Sequence, residues 1–170
     1  MNLEYRVEPL GASHDRSTFS SGVLELDQYL QHQAGQDMRR AAAAAFVMLD
    51  SQNLIVGYHT LSAYSVQPNE FPEAIARKLP RYSALPATLL GRLAISRTDQ
   101  GKSLGRFLLM DALYRSRKNT SEVGSVAVVV DALDDNARAF YLHHDFMAFR
   151  DGPNRLFRAM ATIEKAFRTR

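Results

Sequence analysis

The spacing of apolar residues predicts an alternation of helices and strands along the chain. In residues 20–40 the apolar positions recur with a helical period, and Gly35 is expected to end or break that helix. Residues 41–50 and 54–66 predict the two strands of a hairpin, because a short polar turn, SQN, separates two runs of strand-forming residues. Because alanine also favours helix, the prediction of the first strand depends on the apolar run Phe46–Leu49.

The second half of the chain continues the alternation. Four prolines interrupt residues 67–86 and leave room for one short helix, EAIARKL. Leu104–Lys118 carries a broad apolar stripe typical of a helix packed on a sheet. The remaining patterns predict strands in ATLLGRLAI and SVAVVVDA, a helix in DDNARAFYLHHDF, and closing strands in MAFR and RLFRAM. With no repeat and no long linker, we expect one domain over residues 1–170.

Composition narrows the class of protein. The chain is 46% hydrophobic, which supports one substantial core, and no apolar stretch fits a signal peptide or a membrane helix. We therefore expect a cytoplasmic protein. Because cysteine is absent, disulfides, thiolate metal ligands and a cysteine nucleophile are excluded, and no metal site is expected.

Positive charge is concentrated in the middle of the chain. Residues 1–76 carry four basic and nine acidic side chains, residues 77–118 carry ten and two, and residues 119–170 carry seven of each. Ten minus two gives the middle stretch a net charge of +8. Solvated helix faces explain such a stretch most simply, and an anionic ligand or partner is the alternative.

A basic, glycine-containing loop joins a predicted strand to a predicted helix within RTDQGKSLGRFLLMDALYR, residues 97–115. Unpaired backbone N–H groups and the helix dipole converge on an anion in this arrangement. The run GKS looks like the end of a Walker A loop, but Ser96 stands where that motif requires a glycine, which excludes a nucleotide hydrolase. A phosphate-binding loop and an ordinary strand-to-helix turn stay open.

The segment Gln100–Gly105 resembles the pyrophosphate loop, Q/R-x-x-G-x-G/A, of the GNAT N-acetyltransferase superfamily, and NARAFYLHHDF resembles a downstream segment of that family. The resemblance implies an α/β fold: a mixed, mostly antiparallel sheet of six or seven strands, splayed at the CoA site and flanked by helices. It implies acetyl-CoA as cosubstrate and Tyr141 beside the thioester, although a lone tyrosine on a helix is usually a core aromatic. The implied CoA contacts are Leu93, Ala94, Ile95, Gln100, Gly101, Lys102, Ser103, Leu104, Gly105, Arg106 and Asn136.

Five stretches, which together extend over nearly the whole chain, resemble a narrower family within this superfamily. These stretches are similar to the GNAT toxins of bacterial toxin–antitoxin pairs, which acetylate aminoacyl-tRNA. The stretches are FSSGVLELDQYLQHQAGQD, GYHTLSAYSV, LPRYSALPATLLGRLAI, VVVDALDDNARAFY and LFRAMATIEKAF. This implies a toxin that blocks translation, a ribbon-helix-helix antitoxin as partner, and a homodimer. Ser103 and Asp145 depart from the superfamily pattern, because each replaces a glycine. If position 103 requires a left-handed backbone, serine costs about 1–2 kcal/mol there and is expected to reduce cofactor affinity.

The residues permit acetyl transfer to an amine. Backbone N–H groups near Leu93–Ile95 are expected to stabilise the oxyanion, and the Tyr141 hydroxyl to protonate the departing thiolate. Without a cysteine acyl-enzyme, direct attack is favoured over a ping-pong route. No general base is evident among the histidines, which favours an α-amine, with a pKa of about 7.7–8.0, over a lysine side chain near about 10.4.

Basic side chains are candidates for contacts with tRNA phosphates, because basic surfaces supply much of the affinity for RNA. The candidates are Arg39, Arg40, Arg77, Lys78, Arg81 and Arg92. Tyr64 and Tyr82 are candidates for stacking on an unpaired base. Two other functions stay open: a housekeeping GNAT enzyme that acetylates a small amine or a protein N-terminus, and a non-catalytic acyl-CoA-binding module.

Overall fold

The computed structural model describes residues 4–168 of the chain. The strands in this range are β1 (Arg6–Pro9), β2 (Ala44–Leu49), β3 (Ile55–Val66), β4 (Leu85–Ile95), β5 (Ala127–Asp131), β6 (Met147–Ala148) and β7 (Arg155–Ala159). They form one sheet in the order β1-β2-β3-β4-β5-β7-β6. β4 runs parallel to β5, whereas β1 with β2, β2 with β3, β5 with β7 and β6 with β7 are antiparallel. The predicted α/β architecture with a mostly antiparallel sheet is confirmed.

Helices connect and flank these strands. They are α1 (Leu24–Gln28), α2 (Ala34–Arg39), α3 (Glu73–Ala76), α4 (Leu104–Asn119), α5 (Asp135–His143) and α6 (Met160–Arg168). A π turn, Tyr29–Gln33, joins α1 to α2, and 3₁₀ turns occupy Pro68–Glu70 and Arg97–Asp99. Over residues 4–168, no helix has both the length and the apolar character needed to cross a membrane.

The hairpin predicted in the first half of the chain is confirmed. Phe46 of β2 lies opposite His59 of β3, and Val47 lies opposite Tyr58. Asp50 shapes the turn, because its carboxylate accepts hydrogen bonds of 2.9 Å from two backbone amides beyond it. The strands and helices predicted between residues 73 and 160 are also present, within a few residues of the expected bounds. The sequence patterns missed β1 and α6.

The expected helix break at Gly35 is wrong. The helical segment continues through Gly35 to Arg39. A glycine inside a helix costs only about 1 kcal/mol, and Leu30 and Ala34 beside it are fully buried, so packing outweighs propensity. The irregularity lies one turn earlier, in the π turn Tyr29–Gln33.

The chain divides into two compact units. The first comprises residues up to Ser62 together with Gly91–Ala112, and the second comprises Ala63–Leu90 together with the residues from Leu113 onward. The boundaries fall inside β3, β4 and α4, so each of these elements contributes to both units. The expectation of a single domain stays a prediction.

The first unit has two apolar clusters, which β4 places on opposite faces of the sheet. Ala94 belongs to a cluster with Tyr29 and Tyr58, which includes residues of α1 and α2. Leu93 and Ile95 pack instead against the cluster that contains Leu104 and Leu108 of α4. Because successive strand residues point to opposite faces, the α1–α2 segment and α4 cover opposite sides of the sheet.

The second unit is built around three phenylalanines. The rings of Phe71, Phe149 and Phe157 lie with centroids 4.9–5.2 Å apart. Phe71 belongs to the proline-rich segment, so this contact fastens that segment to the core. In the same unit β4 pairs with β5 through Thr88↔Val128 and Leu89↔Val129, a brief ladder that is compatible with the expected splay of the two strands.

Candidate active site

The glycine-containing loop leaves the sheet from a tightly packed point. Gly57 of β3 has no room for a side chain, because a Cβ there would lie 2.8 Å from Ile95 Cδ1 and 2.9 Å from the Ala94 carbonyl oxygen. The amide of Ser96 donates to the Val56 carbonyl at 2.8 Å. Backbone contacts therefore fix where the loop begins.

The loop presents open backbone amides at the start of a helix. Gly101 has φ +84° and Ser103 has φ +63°, both left-handed, and space around Gly101 is open. Within the part of the chain that the structure describes, no hydrogen bond engages the amides of Gly101–Arg106. Leu104 is buried and begins the 16-residue helix α4. A cradle of N–H groups combined with a helix dipole binds phosphate.

The side chain of Gln100 faces the protein. Its Nε2 donates to the Ser21 carbonyl at 2.9 Å and to the Ile95 carbonyl at 3.1 Å. Ser21 is in turn held by the buried carboxylate of Asp27, which accepts from the Ser21 amide at 2.9 Å and from its hydroxyl at 2.6 Å. Gln100 therefore fastens the loop to the segment before α1.

Two cations lie on the loop, and they differ in their partners. Lys102 Nζ lies 3.1 Å from Asp99 Oδ1, and this hydrogen bond raises the pKa of Lys102. Arg106 is exposed, and no ion pair among residues 4–168 includes it. The guanidinium of Arg106 is therefore available to bind an anion, whereas the ammonium of Lys102 is already paired with the Asp99 carboxylate.

In the second unit, α5 carries the two residues that the downstream family segment implies. The side chain of Asp134 caps this helix by accepting a backbone hydrogen bond of 2.8 Å. Asn136 is exposed in the first turn. Tyr141 is buried, and its ring packs at 5.3 Å from both Phe140 and Phe146. Burial raises the pKa of Tyr141, so its hydroxyl is protonated at neutral pH.

Asp145 ends α5 in a conformation that usually requires glycine. Its φ is +70°. Its amide donates to the Leu142 carbonyl, and the amide of Phe146 donates to the Tyr141 carbonyl, which together form a Schellman motif. Burial lowers the pKa of Arg158, and the charge of Asp145, 4.0 Å away, opposes that effect. Both departures from glycine, Ser103 and Asp145, thus occupy left-handed positions.

The basic residues of the first unit have two different environments. Arg39 and Arg40 are exposed at the end of α2. Arg92 is half-buried in β4, and its guanidinium carbon lies 3.4 Å from the centroid of the Tyr29 ring. The guanidinium of Arg40 donates to the side-chain oxygen of Gln36 at 3.0 and 3.2 Å. Arg39 and Arg40 are therefore surface cations, whereas Arg92 is held against an aromatic ring.

The basic residues of the second unit lie on the proline-rich segment. Arg77 is ion-paired with Glu73 at 3.1 Å, and both are exposed. Lys78 and Arg81 are exposed, and no ion pair in the described range includes them. Tyr82 is 66% exposed, as a base-stacking residue must be. The Tyr64 hydroxyl instead accepts a hydrogen bond from Arg155, so Tyr64 belongs to the internal structure of this unit.

Two of the histidines have opposite environments. His59 is fully buried, with Nε2 2.8 Å from Asp111 Oδ2. His143 is exposed at the end of α5. Across residues 4–168, no three metal-ligating side chains come together. Sequence reasoning missed the contact of Ser21 with Asp27, which no periodicity reveals. It also missed the stacking of Arg92, for which an arginine inside the apolar run LLGRLAI is the available signal.

Comparison with known proteins identifies relatives of this chain. No family model matches it. A tRNA-acetylating toxin of Mycobacterium tuberculosis is 38% identical over 132 residues, which are 78% of this chain and 78% of that protein. AtaT complexed with acetyl-methionyl-tRNAfMet has a TM-score of 0.88 at 27% identity, over 96% of this chain and 99% of that one. AtaTR bound with acetyl-CoA has a TM-score of 0.84 at 27% identity, over 96% and 98%.

The similarity in sequence and the similarity in fold agree with each other. The glycine-containing loop, the strand before it and the helix that carries Tyr141 all lie in a chain that superposes on AtaT over most of its length. The identity to the mycobacterial toxin extends over most of both proteins. The chain therefore belongs to the tRNA-acetylating toxins of the GNAT superfamily.

Proposed function

We propose that the protein is an acetyl-CoA-dependent N-acetyltransferase toxin that acetylates the α-amino group of aminoacyl-tRNA and so blocks translation. The observation that carries this proposal is the similarity to the tRNA-acetylating toxin of Mycobacterium tuberculosis over most of the chain. The AtaT complex, which contains acetyl-methionyl-tRNA, supports a charged tRNA as the acceptor.

The loop fits the pyrophosphate of acetyl-CoA. Backbone amides that are unpaired within residues 4–168 lie at the start of α4, where a helix dipole favours negative charge. They belong to Gly101, Lys102, Ser103, Leu104, Gly105 and Arg106. The Arg106 side chain adds a positive charge, and Lys102 adds another when it exchanges Asp99 for a phosphate. Gln100 holds the loop in place. By the family resemblance, backbone groups of Leu93, Ala94 and Ile95 bind the pantetheine arm, and Asn136 contacts CoA.

Side-chain and backbone groups of the chain can assist the transfer of the acetyl group from acetyl-CoA to an amine. Acetyl-CoA supplies a thioester, whose carbon–sulfur bond breaks as the amine forms an amide. Tyr141 is proposed as the acid that protonates the departing sulfur, because the family resemblance puts it beside the thioester and its hydroxyl carries a proton at neutral pH. Backbone N–H groups near Leu93–Ile95 are proposed to stabilise the oxyanion. The amine needs no base before it attacks, since an α-amine is substantially neutral near pH 8. The proton that the nitrogen loses as the amide forms passes to solvent, and solvent returns a proton to Tyr141.

The acceptor is proposed to bind through exposed or partly exposed basic side chains. Exposed cations release counterions from RNA and so contribute to affinity without reading sequence. Those proposed are Arg39, Arg40 and Arg92 in the first unit, and Arg77, Lys78 and Arg81 in the second. Tyr82, with its exposed ring, is proposed to stack on a base of the single-stranded tRNA end.

Membership of the toxin family supports three further proposals. The protein acts in the cytoplasm, where charged tRNA is found. It forms a homodimer, and a ribbon-helix-helix antitoxin neutralises it. Sedimentation of the purified protein tests the dimer, and coexpression with the product of a small adjacent reading frame tests the antitoxin.

An acceptor assay separates the proposed function from its alternatives. Purified protein is incubated with labelled acetyl-CoA and, in separate reactions, with charged total tRNA, deacylated tRNA, a peptide with a free N-terminus, and spermidine. We expect label only on charged tRNA. Label on the peptide or on spermidine alone indicates a housekeeping N-acetyltransferase, and binding of acetyl-CoA without any turnover indicates a non-catalytic module.

A further inference from the structure

Residues 20–22, the bracing segment, lie against the glycine-containing loop just before α1. The amide of Arg97 donates to the Ser20 carbonyl at 2.7 Å, and Gln100 Nε2 donates to the Ser21 carbonyl at 2.9 Å. Gly22 has φ +93°, and a Cβ there would lie 3.3 Å from the Nε and Nη2 atoms of Arg97. All three residues of the bracing segment therefore approach the loop closely.

Asp27 of α1 fixes the bracing segment. Its carboxylate is buried, and Oδ1 accepts hydrogen bonds from the Ser21 amide at 2.9 Å and from the Ser21 hydroxyl at 2.6 Å. The same hydroxyl accepts from the Val23 amide at 3.2 Å, which shapes the turn into α1. Hydrogen bonds to a carboxylate are stronger than those between neutral groups. Ser21 is therefore held at its amide and at its hydroxyl, while its carbonyl is directed to the loop.

The buried charge of Asp27 acts on the loop rather than on an ion pair. Burying a carboxylate is costly unless hydrogen bonds compensate for the lost water. Across residues 4–168 no ion pair includes Asp27, and both hydrogen bonds to its Oδ1 come from Ser21. The contacts thus run from Asp27 through Ser21 to Gln100, which are 73 positions apart in sequence at their two ends.

We infer that Asp27 is a positioning residue for acetyl-CoA: through Ser21 and Gln100 it holds the phosphate cradle in the conformation that binds the pyrophosphate. The inference rests on the proposed function for the assignment of the cradle to acetyl-CoA. Within the described range no hydrogen bond engages the amides of Gly101–Arg106, so contacts from outside the cradle must order it. A loop that is ordered before it binds loses less conformational entropy on binding.

The affinity for acetyl-CoA, measured by calorimetry, tests the role of Asp27. Asp27→Ala removes both hydrogen bonds and should weaken binding about tenfold, as expected when about one more backbone residue must be ordered on binding. Asp27→Asn keeps a side-chain oxygen as acceptor and should restore most of the affinity. The matched control is Asp50→Ala, because the Asp50 carboxylate also accepts two amide hydrogen bonds, at the β2–β3 turn of the same unit. Its affinity should equal that of the wild type.

A double-mutant cycle tests whether Asp27 acts through Gln100. Gln100→Met keeps the length of the side chain and removes its hydrogen bonds, so it should also weaken acetyl-CoA binding. The double variant should bind about as weakly as Gln100→Met alone, whereas two independent tenfold losses would multiply to about a hundredfold. In steady-state kinetics Asp27→Ala should raise KM for acetyl-CoA and leave kcat nearly unchanged, since the pyrophosphate is held alike before and during the transfer.

Hydrogen exchange of the protein without acetyl-CoA reports the positioning itself. The Arg97 amide donates to the bracing segment, whereas the adjacent Ser96 amide donates to Val56 of β3 at 2.8 Å. Asp27→Ala should accelerate exchange at Arg97 and leave Ser96 at the wild-type rate. Ser21→Ala removes only the hydroxyl and should produce smaller changes in the same directions, which keeps the test decisive if Asp27→Ala does not fold.

Three results would overturn the inference. The first is wild-type affinity for acetyl-CoA in Ser21→Ala and in Asp27→Ala. The second is a hundredfold loss in the double variant, because Asp27 and Gln100 then act independently. The third is an equal loss in Asp50→Ala, which shows a general weakening of the unit. If the protein binds acetyl-CoA but never labels charged tRNA, the proposed function fails while the cycle in acetyl-CoA affinity still decides the role of Asp27.

Discussion

Replacing Ser103 by glycine should stabilise the folded protein. Ser103 has φ +63° and makes no side-chain hydrogen bond within the described range, so it carries the strain of a left-handed backbone without a compensating contact. That strain is about 1–2 kcal/mol. Relief of the strain stabilises the folded protein, but glycine offsets about 0.5–1 kcal/mol of this gain, because it increases the entropy of the unfolded chain. The midpoints of these two ranges leave a net gain of about 0.75 kcal/mol, which corresponds to a rise in Tm of about 1.5–3 °C.

Two control variants make the Ser103→Gly experiment specific. Ala41 has φ +58°, is exposed at the end of α2 and lies outside the loop, so Ala41→Gly should raise Tm by a similar amount. Ser103→Ala keeps the Cβ and removes only the hydroxyl, so it should unfold near the wild-type temperature. Thermal unfolding followed by circular dichroism measures all three. A Tm that rises for Ala41→Gly and stays unchanged for Ser103→Gly would show that position 103 carries no backbone strain.

Three further predictions concern the site. Gly101→Asp, which places a carboxylate where there is open space, should weaken acetyl-CoA binding in calorimetry by repelling the pyrophosphate, and unchanged affinity refutes the loop assignment. Tyr141→Phe should keep acetyl-CoA affinity and lower kcat by about 10²–10⁴-fold, whereas an unchanged kcat with chemistry rate-limiting makes Tyr141 a core aromatic. Charge reversal to glutamate at Arg77, Lys78 and Arg81 should weaken tRNA acetylation most at low salt and spare acetyl-CoA affinity, and no effect on tRNA removes this surface from the acceptor site.

Local patterns were sufficient to predict most of the fold. The β2–β3 hairpin followed from two strand-forming runs around a polar turn, and the helix α4 followed from its broad apolar stripe. The π turn could not be predicted, because a one-residue distortion barely changes helical periodicity. The same argument explains Gly35, where burial of its neighbours overrides a local breaker signal.

The site could be predicted in part. The glycine-containing loop was recognisable because its chemistry depends on backbone groups that neighbouring residues supply. The left-handed backbone at Ser103, which the sequence raised only as a condition, is present at φ +63°. The contacts of Gln100 with Ser21, and of Arg92 with Tyr29, join residues far apart in sequence. An arginine inside an apolar run signals that Arg92 is partly buried, but no pattern along one chain reveals the partner of either side chain, so the pairs needed the structure.

The identity of the acetylated atom tests the central claim most directly. Charged tRNA is incubated with the protein and acetyl-CoA, the tRNA is digested with nuclease, and the 3′-terminal fragment is analysed by mass spectrometry. We expect N-acetylaminoacyl-adenosine, with the acetyl group on the α-nitrogen, and little of it from the Tyr141→Phe protein. Unmodified aminoacyl-adenosine at every salt concentration, from a protein that binds both acetyl-CoA and tRNA, would contradict the account.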